Sequence, residues 1–194
     1  MRTVAFTSAA GFVLAGGRSS RMGTDKALTL LTGIPLIQIA IQTLVAAGVP
    51  AKIAGSRSPL AAFAQEIPDT FADAGPLGGI HAALSASPVD WNLFLPVDLP
   101  RMPASLLACL LQRAAITGQP ISATRLNGRL EPFPVVLHRS VLPLVARCLE
   151  TGHRSPAVNA CLKNGKSEKG AMVSMSDSFL RPSRRASKSN WASR

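Results

Sequence analysis

Between Leu14 and Leu28 the chain reads LAGGRSSRMGTDKAL. Gly16 and Gly17 carry no side chains, so their backbone N–H groups can approach an anion closely and take positive φ. Ser19 and Ser20 add hydroxyl donors; Arg18, Arg21 and Lys26 add positive charge. An arginine grips a phosphate in two places, while a lysine acts as a mobile point charge. The stretch suits a polyphosphate, yet it is neither G-x-x-x-x-G-K-[ST] nor G-x-G-x-x-G. The glycine pair alone would equally fit a plain strand-to-helix turn with solvated basic neighbours. A second group lies further on. Asp98 stands in LPVDLP, just past an apolar run and between Pro96 and Pro100. Magnesium takes hard oxygen ligands, usually one or two carboxylates together with phosphates. Asp98 is therefore the candidate metal ligand; a helix N-cap is its plainer role. His81, His138 and His153 have no metal-ligand spacing and read as structural, and no Ser/His/Asp arrangement stands out.

The elements that must position these groups alternate along the chain. GFVLAG (11–16) reads as a buried strand ending in glycines. Pro35 opens a helix with apolar residues at helical spacing, and Gly48 closes it. A second strand is expected at 51–55, a short helix at 58–66 and a helix near 80–87, after the break GPLGG. WNLFLPVDLP (91–100) is the next strand, stopped by Pro96. An apolar helix over 104–116 follows, then strands at 121–124 and 132–137 with an NGR turn between them. Helices are expected over 139–151 and 155–163. Strand, loop, helix, strand is the pattern of an α/β fold with a mainly parallel sheet. Such sheets bind ligands at the carboxyl ends of their strands, where the glycine loop and Asp98 both fall.

Bulk properties bound the function more loosely. The chain has 194 residues, 47% hydrophobic and 16% charged, a globular composition with a net charge of +11. Eight basic and two acidic side chains fall between Lys163 and Arg194. A positive excess steers phosphorylated anions, and also nucleic acid. Trp191 is the only aromatic near the basic tail cluster, which disfavours single-stranded nucleic acid as the main partner. No apolar run reaches the roughly 20 residues of a membrane span. The opening MRTVAFTSAAGFVLAGG reads as a first strand rather than a signal peptide. Cys109, Cys148 and Cys161 are widely spaced and read as free structural thiols in a reducing compartment, the cytoplasm.

As a whole string, G-G-x-S-x-R-M-G-x-D-K resembles the signature of nucleotidyltransferases that move a nucleoside monophosphate onto a phosphorylated acceptor. LAGGRSSRMGTDKAL is most similar to the molybdenum cofactor guanylyltransferase family. Related cytidylyltransferases show L-A-A-G here and lack the aspartate before the lysine. IPDTFADAGPLGGIHAAL (67–84) resembles that family's acidic residue followed by G-P-L-x-G. LPVDLP resembles its P-C-D-x-P, with Val97 in place of cysteine, and EPFPVVLHRSVLPLV (131–145) its strand and helix beyond the site. The likeness spans roughly residues 10–150.

The resemblance implies a three-layer, Rossmann-like nucleotidyltransferase fold over 1–179, followed by a basic, disordered tail at 180–194. It implies transfer of GMP from GTP to molybdopterin cofactor, with Mg2+ and release of pyrophosphate. Arg21, Lys26 and Asp98 would be the catalytic residues, and Asp98 also the metal ligand. Leu14, Ala15, Gly16, Gly17, Lys26, Asp69 and Asp98 would bind GTP, with Asp73 a competitor to Asp69. Gly78 and Gly79 would admit the base or ribose closely. Asp25 would orient a neighbouring arginine or cap the following helix. Molybdoenzyme chaperones are candidate partners, and a monomer or weak homo-oligomer is expected. Two departures keep other readings open. Ala54 stands where the family often has asparagine, and the family's closing F-x-N-x-N-T-P-E-D-L is replaced by MSDSFLRPSRRASKSNWASR. A frameshifted end, a basic extension that binds an anionic partner, and a divergent relative all fit that ending. The alternatives to guanylyl transfer are cytidylyl transfer to a related acceptor and nucleotide binding without catalysis.

Overall fold

In the computed structural model the elements run β1 (Ala9–Leu14), β2 (Leu30–Leu31), β3 (Ile34–Pro35), α1 (Leu36–Ala46), β4 (Ala51–Ala54), β5 (Glu66–Ile67), α2 (Pro76–Ala86), β6 (Trp91–Pro96), α3 (Ala104–Thr117), β7 (Ile121–Leu126), β8 (Arg129–His138), α4 (Leu142–Glu150) and β9 (Ala171–Met175). The structure describes residues 9–15, 25–55, 60–71, 74–151 and, by backbone alone, 171–175. The expected helix at 155–163 and the expected tail at 180–194 lie outside the described residues.

β1 is buried along its whole length. Val13 belongs to the core on one face of the sheet, and Ala10, Phe12 and Leu14 to the core on the other. A strand covered on both faces shows a continuous apolar run rather than alternation, as AAGFVL does. β1 pairs in parallel with β4 and β6, and β4 in parallel with β5. The sheet order is β5-β4-β1-β6-β8-β7-β9. β8 alone runs against its neighbours β6 and β7, while β9 is parallel to β7.

Helices α1 and α3 cover one face through Ile37, Leu44, Leu107 and Leu110. α2 and α4 cover the other through Leu77, Ile80, Leu84 and Val145. This is the expected three-layer architecture. Gly11 marks how closely α1 approaches: a Cβ there would lie 3.0 Å from Val49 and 3.1 Å from Leu44. α1 ends where sequence predicts, with Gly48 at φ 90°. Gly48 N donates to Val45 O and Val49 N to Leu44 O, which satisfies the last helical carbonyls. On the other face Phe12 stacks on Phe94 across the β1–β6 pair, with centroids 5.4 Å apart.

The NGR turn is also as expected. Asn127 (φ 48°) and Gly128 (φ 78°) form the tight link between β7 and β8, both at positive φ, as a two-residue hairpin with right-handed twist requires.

Four features differ from the sequence expectations. Leu60 is the one described residue in a 3-10 turn, residues 61–64 form a turn, and Glu66–Ile67 join the sheet as its edge strand, so the helix expected over 58–66 does not continue past Leu60. Leu60, fully buried, anchors that turn, and one apolar anchor does not make a helical stripe. The β2–β3 hairpin before α1 and the strand β9 were not foreseen. The helix near 80–87 starts earlier, at Pro76, because proline is well accommodated in a first helical turn; β6 stops at Pro96 as the sequence predicts. Finally, Cys109 is free but Cys148 is disulfide-bonded, against the expectation of three free thiols. Spacing in sequence does not tell which thiols meet in space.

Candidate functional site

β1 delivers the chain to the carboxyl edge of the sheet at Leu14 and Ala15, both buried. Gly16, Gly17 and Arg21 lie outside the described residues, as does Asp73. The chain is next described at Asp25, whose Oδ1 accepts from Ala27 N at 3.0 Å and so caps a single 3-10 turn, Lys26–Leu28. Capping, one of the two roles expected for Asp25, is present here. Ala27 is fully buried in the core beneath α1. The capped turn, pinned by Ala27, leaves Lys26 exposed.

β6 supplies the partner. It runs alongside β1 in register from Ala9–Trp91 to Leu14–Pro96. One residue further, Val97 N donates to Leu14 O at 3.3 Å, and Val97 is buried. That clamp ties the exit of β6 to the exit of β1. The chain then turns, Leu99 N donating to Pro96 O, and Asp98 is left exposed at the turn. Lys26 Nζ and Asp98 Oδ2 lie 3.4 Å apart, although the residues are 72 positions apart in sequence. Each side chain is about half exposed, at 51%. An ion pair this open to water contributes at most about 1 kcal/mol. Its contribution to fold stability is therefore small.

A second cluster forms around the first turn of α2. Asp69 follows β5 and its carboxylate reaches this turn: an added Cβ would lie 3.6 Å from its Oδ1 at Gly79 and 3.9 Å from its Cγ at Gly78. The Cβ at Gly79 would also lie 3.4 Å from Leu14 Cδ2 and 3.5 Å from Ala54 Cβ. Leu14, Ala54, Asp69 and Gly79 thus converge on one spot at the ends of β1, β4 and β5. A carboxylate beside a helix N-terminus is electrostatically favoured. Gly75 opens that helix at φ 61°, ψ −150°, a conformation reserved for glycine. Gly78 and Gly79 are both buried, and the lack of side chains there lets Ala74, Phe71, Leu14, Ala54 and Asp69 pack close against the helix. Sequence reasoning named Ala54 only as a departure; its place in this cluster shows in the register Leu14–Ala54.

The histidines are structural where described. His81 Nδ1 lies 3.1 Å from Thr70 Oγ1 and its ring meets Phe71 edge-on. His138 lies 2.8 Å from Ser140 Oγ and packs on Trp91. Among the described residues no three His, Cys, Asp or Glu side chains come together to hold a metal. Asp98 is a single hard-oxygen donor, open to solvent on one side, which is the donor chemistry of a magnesium ion shared with phosphates.

The family described as the MobA-like NTP transferase domain matches residues 11–164 of this chain. A molybdenum cofactor guanylyltransferase from Vibrio atlanticus is 37% identical over 153 residues, covering 76% of this chain and 78% of the relative. One from Vibrio cholerae is 39% identical over 146 residues, covering 73% and 71%. Among solved structures, molybdopterin-guanine dinucleotide biosynthesis protein A from Archaeoglobus fulgidus superposes with a TM-score of 0.70 at 21% identity, over 89% of this chain and 85% of that one. This likeness bears on the fold, which it shares.

Proposed function

Because the chain belongs to the MobA-like NTP transferase family, we propose that it transfers GMP from GTP to molybdopterin cofactor and releases pyrophosphate. The observation that carries this reading is the meeting of Lys26 and Asp98, 3.4 Å apart, at the carboxyl ends of β1 and β6. The relatives named above as guanylyltransferases supply the substrate pair.

In the reaction an oxygen of the acceptor's terminal phosphate attacks the α-phosphorus of GTP. A new P–O–P bond forms, the bond from the α-phosphorus to the bridging oxygen breaks, and pyrophosphate leaves with that electron pair. A phosphate oxygen is already anionic, so no general base is required. The protein positions the reactants and neutralises charge that develops on the phosphates. Leu14 and Ala15 flank the nucleotide, and Gly16 and Gly17 are assigned to it as backbone N–H donors. Asp69, above the glycine turn of α2, contacts the nucleoside end. Lys26, with Arg21, stabilises the triphosphate and the departing pyrophosphate. Asp98 would hold the Mg2+ ion, and Lys26 would exchange its carboxylate partner for phosphate as the nucleotide enters. When bound, the ion offsets the negative charge shared between the phosphates. The proposal extends to a cytoplasmic setting, with molybdoenzyme chaperones receiving the product and the enzyme a monomer or weak homo-oligomer.

The test is incubation of the purified chain with α-labelled GTP or CTP, Mg2+ and molybdopterin cofactor. Label in a guanine dinucleotide, with acceptor-dependent pyrophosphate release, is the expected result. Transfer from CTP instead would reassign the enzyme as a cytidylyltransferase, and no transfer from either would remove the catalytic reading.

A further inference from the structure

Asp69, assigned above to the nucleoside end of GTP, stands in a short bridge between the sheet and α2. Two residues before it, Ile67 lies in the sheet in register with Ala54, and Ile67 O accepts from Gly55 N at 3.0 Å. Only Pro68 separates Ile67 from Asp69, and proline fixes its own φ. The aspartate is thus tied on one side to a hydrogen-bonded strand. That strand is short, with two residues, and lies at the edge of the sheet, so it does little to fix the chain beyond Asp69. Thr70, the next residue, is exposed.

α2 supplies the second anchor through His81. Nδ1 of His81 and Oγ1 of Thr70 share a hydrogen bond at 3.1 Å. The same ring meets Phe71 edge-on, with centroids 4.9 Å apart and planes at 87°. One side chain therefore grips both residues that follow Asp69, the first by a polar contact and the second by an aromatic one. Gly78 stands three positions before His81 and so beside it on the surface of α2. It lets the same segment come close: a Cβ there would lie 3.3 Å from Phe71 O and 3.9 Å from Asp69 Cγ. The carboxylate that reaches Gly78 and Gly79 is carried on a segment whose far end is tied to the next turn of the same helix.

We infer that His81 is a positioning residue for nucleotide binding: its ring, hydrogen-bonded to Thr70 and packed on Phe71, holds the preceding Asp69 at the first turn of α2, where the carboxylate accepts from N–H or O–H donors of the nucleoside. Holding the segment in place before the ligand arrives removes an ordering cost from the binding step. His81 itself touches no substrate in this arrangement; it acts through Thr70 and Phe71. The inference rests on the assignment of Asp69 to GTP in the guanylyl-transfer reading and adds to it the side chain that keeps Asp69 in place.

Isothermal titration with GTP and Mg2+ tests it, on wild type, His81→Ala, His81→Asn, Thr70→Val, Asp69→Ala and the double variant His81→Ala/Asp69→Ala, beside thermal melts and the steady-state KM for molybdopterin cofactor. His81→Ala and Thr70→Val are expected to weaken GTP binding about three- to tenfold, the scale of one lost hydrogen bond. His81→Asn should recover part of that loss, because a side-chain amide can bond Thr70 but brings no ring to Phe71. In the Asp69→Ala background, His81→Ala should weaken GTP binding no further, since no carboxylate is left to position. The acceptor KM should stay at its wild-type value. Thr70→Val alters an exposed side chain and decides the matter should His81→Ala fail to fold. Lower melting temperatures with unchanged GTP affinity, or losses in the single variants that simply add in the double one, overturn the inference alone. Asp69→Ala that binds GTP as wild type does rejects the assignment of Asp69. Wild type that binds no GTP rejects the guanylyl-transfer reading, and the inference falls with either.

Discussion

Lys26 and Asp98 meet with half of each side chain in water. Removing either should therefore barely alter folding and should sharply alter catalysis. Lys26→Met is expected to lower kcat by about 100-fold, the scale of one preorganised charge facing a developing anion, with a melting temperature close to wild type. Asp98→Asn keeps the shape of the side chain and weakens the metal donor, so Mg2+-dependent transfer should fall at least as far. Rapid-quench or steady-state rates, read beside thermal melts, decide it; equal losses of rate and stability would make the pair structural. Both residues were legible from sequence because their types are chemically specific and a proline or a glycine loop stood beside each. Their contact was legible only as convergence at strand ends. The Val97–Leu14 hydrogen bond that enforces it is a backbone contact, which no side-chain pattern reveals.

At the scale of elements, α2 sets a test of why glycine stands in a helix. Helix propensity alone makes Gly78→Ala stabilising by up to about 1 kcal/mol. The structure expects the reverse: a Cβ at Gly78 would lie 3.0 Å from Ala74 Cβ and 3.3 Å from Phe71 O, a backbone atom that does not swing aside. Urea denaturation of Gly78→Ala should show a lower midpoint, and a raised one would mean that the turn is free to relax. The long elements were readable because their apolar residues repeat with a clear period: α1 between Pro35 and Gly48, α3, and the continuous run of β1. The short ones were not. β2, β3 and β5 have two residues each, too few for any period to register. The helix expected at 58–66 does not extend beyond Leu60 for the same reason, since a few apolar residues can serve a turn as well as a helix. The register shift between β7 and β8 was equally hidden, because register depends on pairing across the sheet.

For the whole molecule, the sheet acts as a ruler. Its order brings the carboxyl ends of β4, β1 and β6, with Ala54, Leu14 and the turn that carries Asp98, side by side along one edge. The net charge of +11 favours the polyanionic substrates that this edge is proposed to take. The α/β class and the parallel run were legible from the alternation of strands and helices, whereas the reversed β8 and the added β9 follow from pairings that local sequence does not encode. The central claim is that the Lys26–Asp98 edge is a magnesium-dependent GTP site. It is tested most directly by isothermal titration of the purified chain with GTP and with CTP, with and without Mg2+, beside Asp98→Ala. GTP binding that exceeds CTP binding and weakens on loss of either Mg2+ or Asp98 is the predicted result. GTP binding indifferent to Asp98, or no binding of either nucleotide by a folded chain, would contradict it.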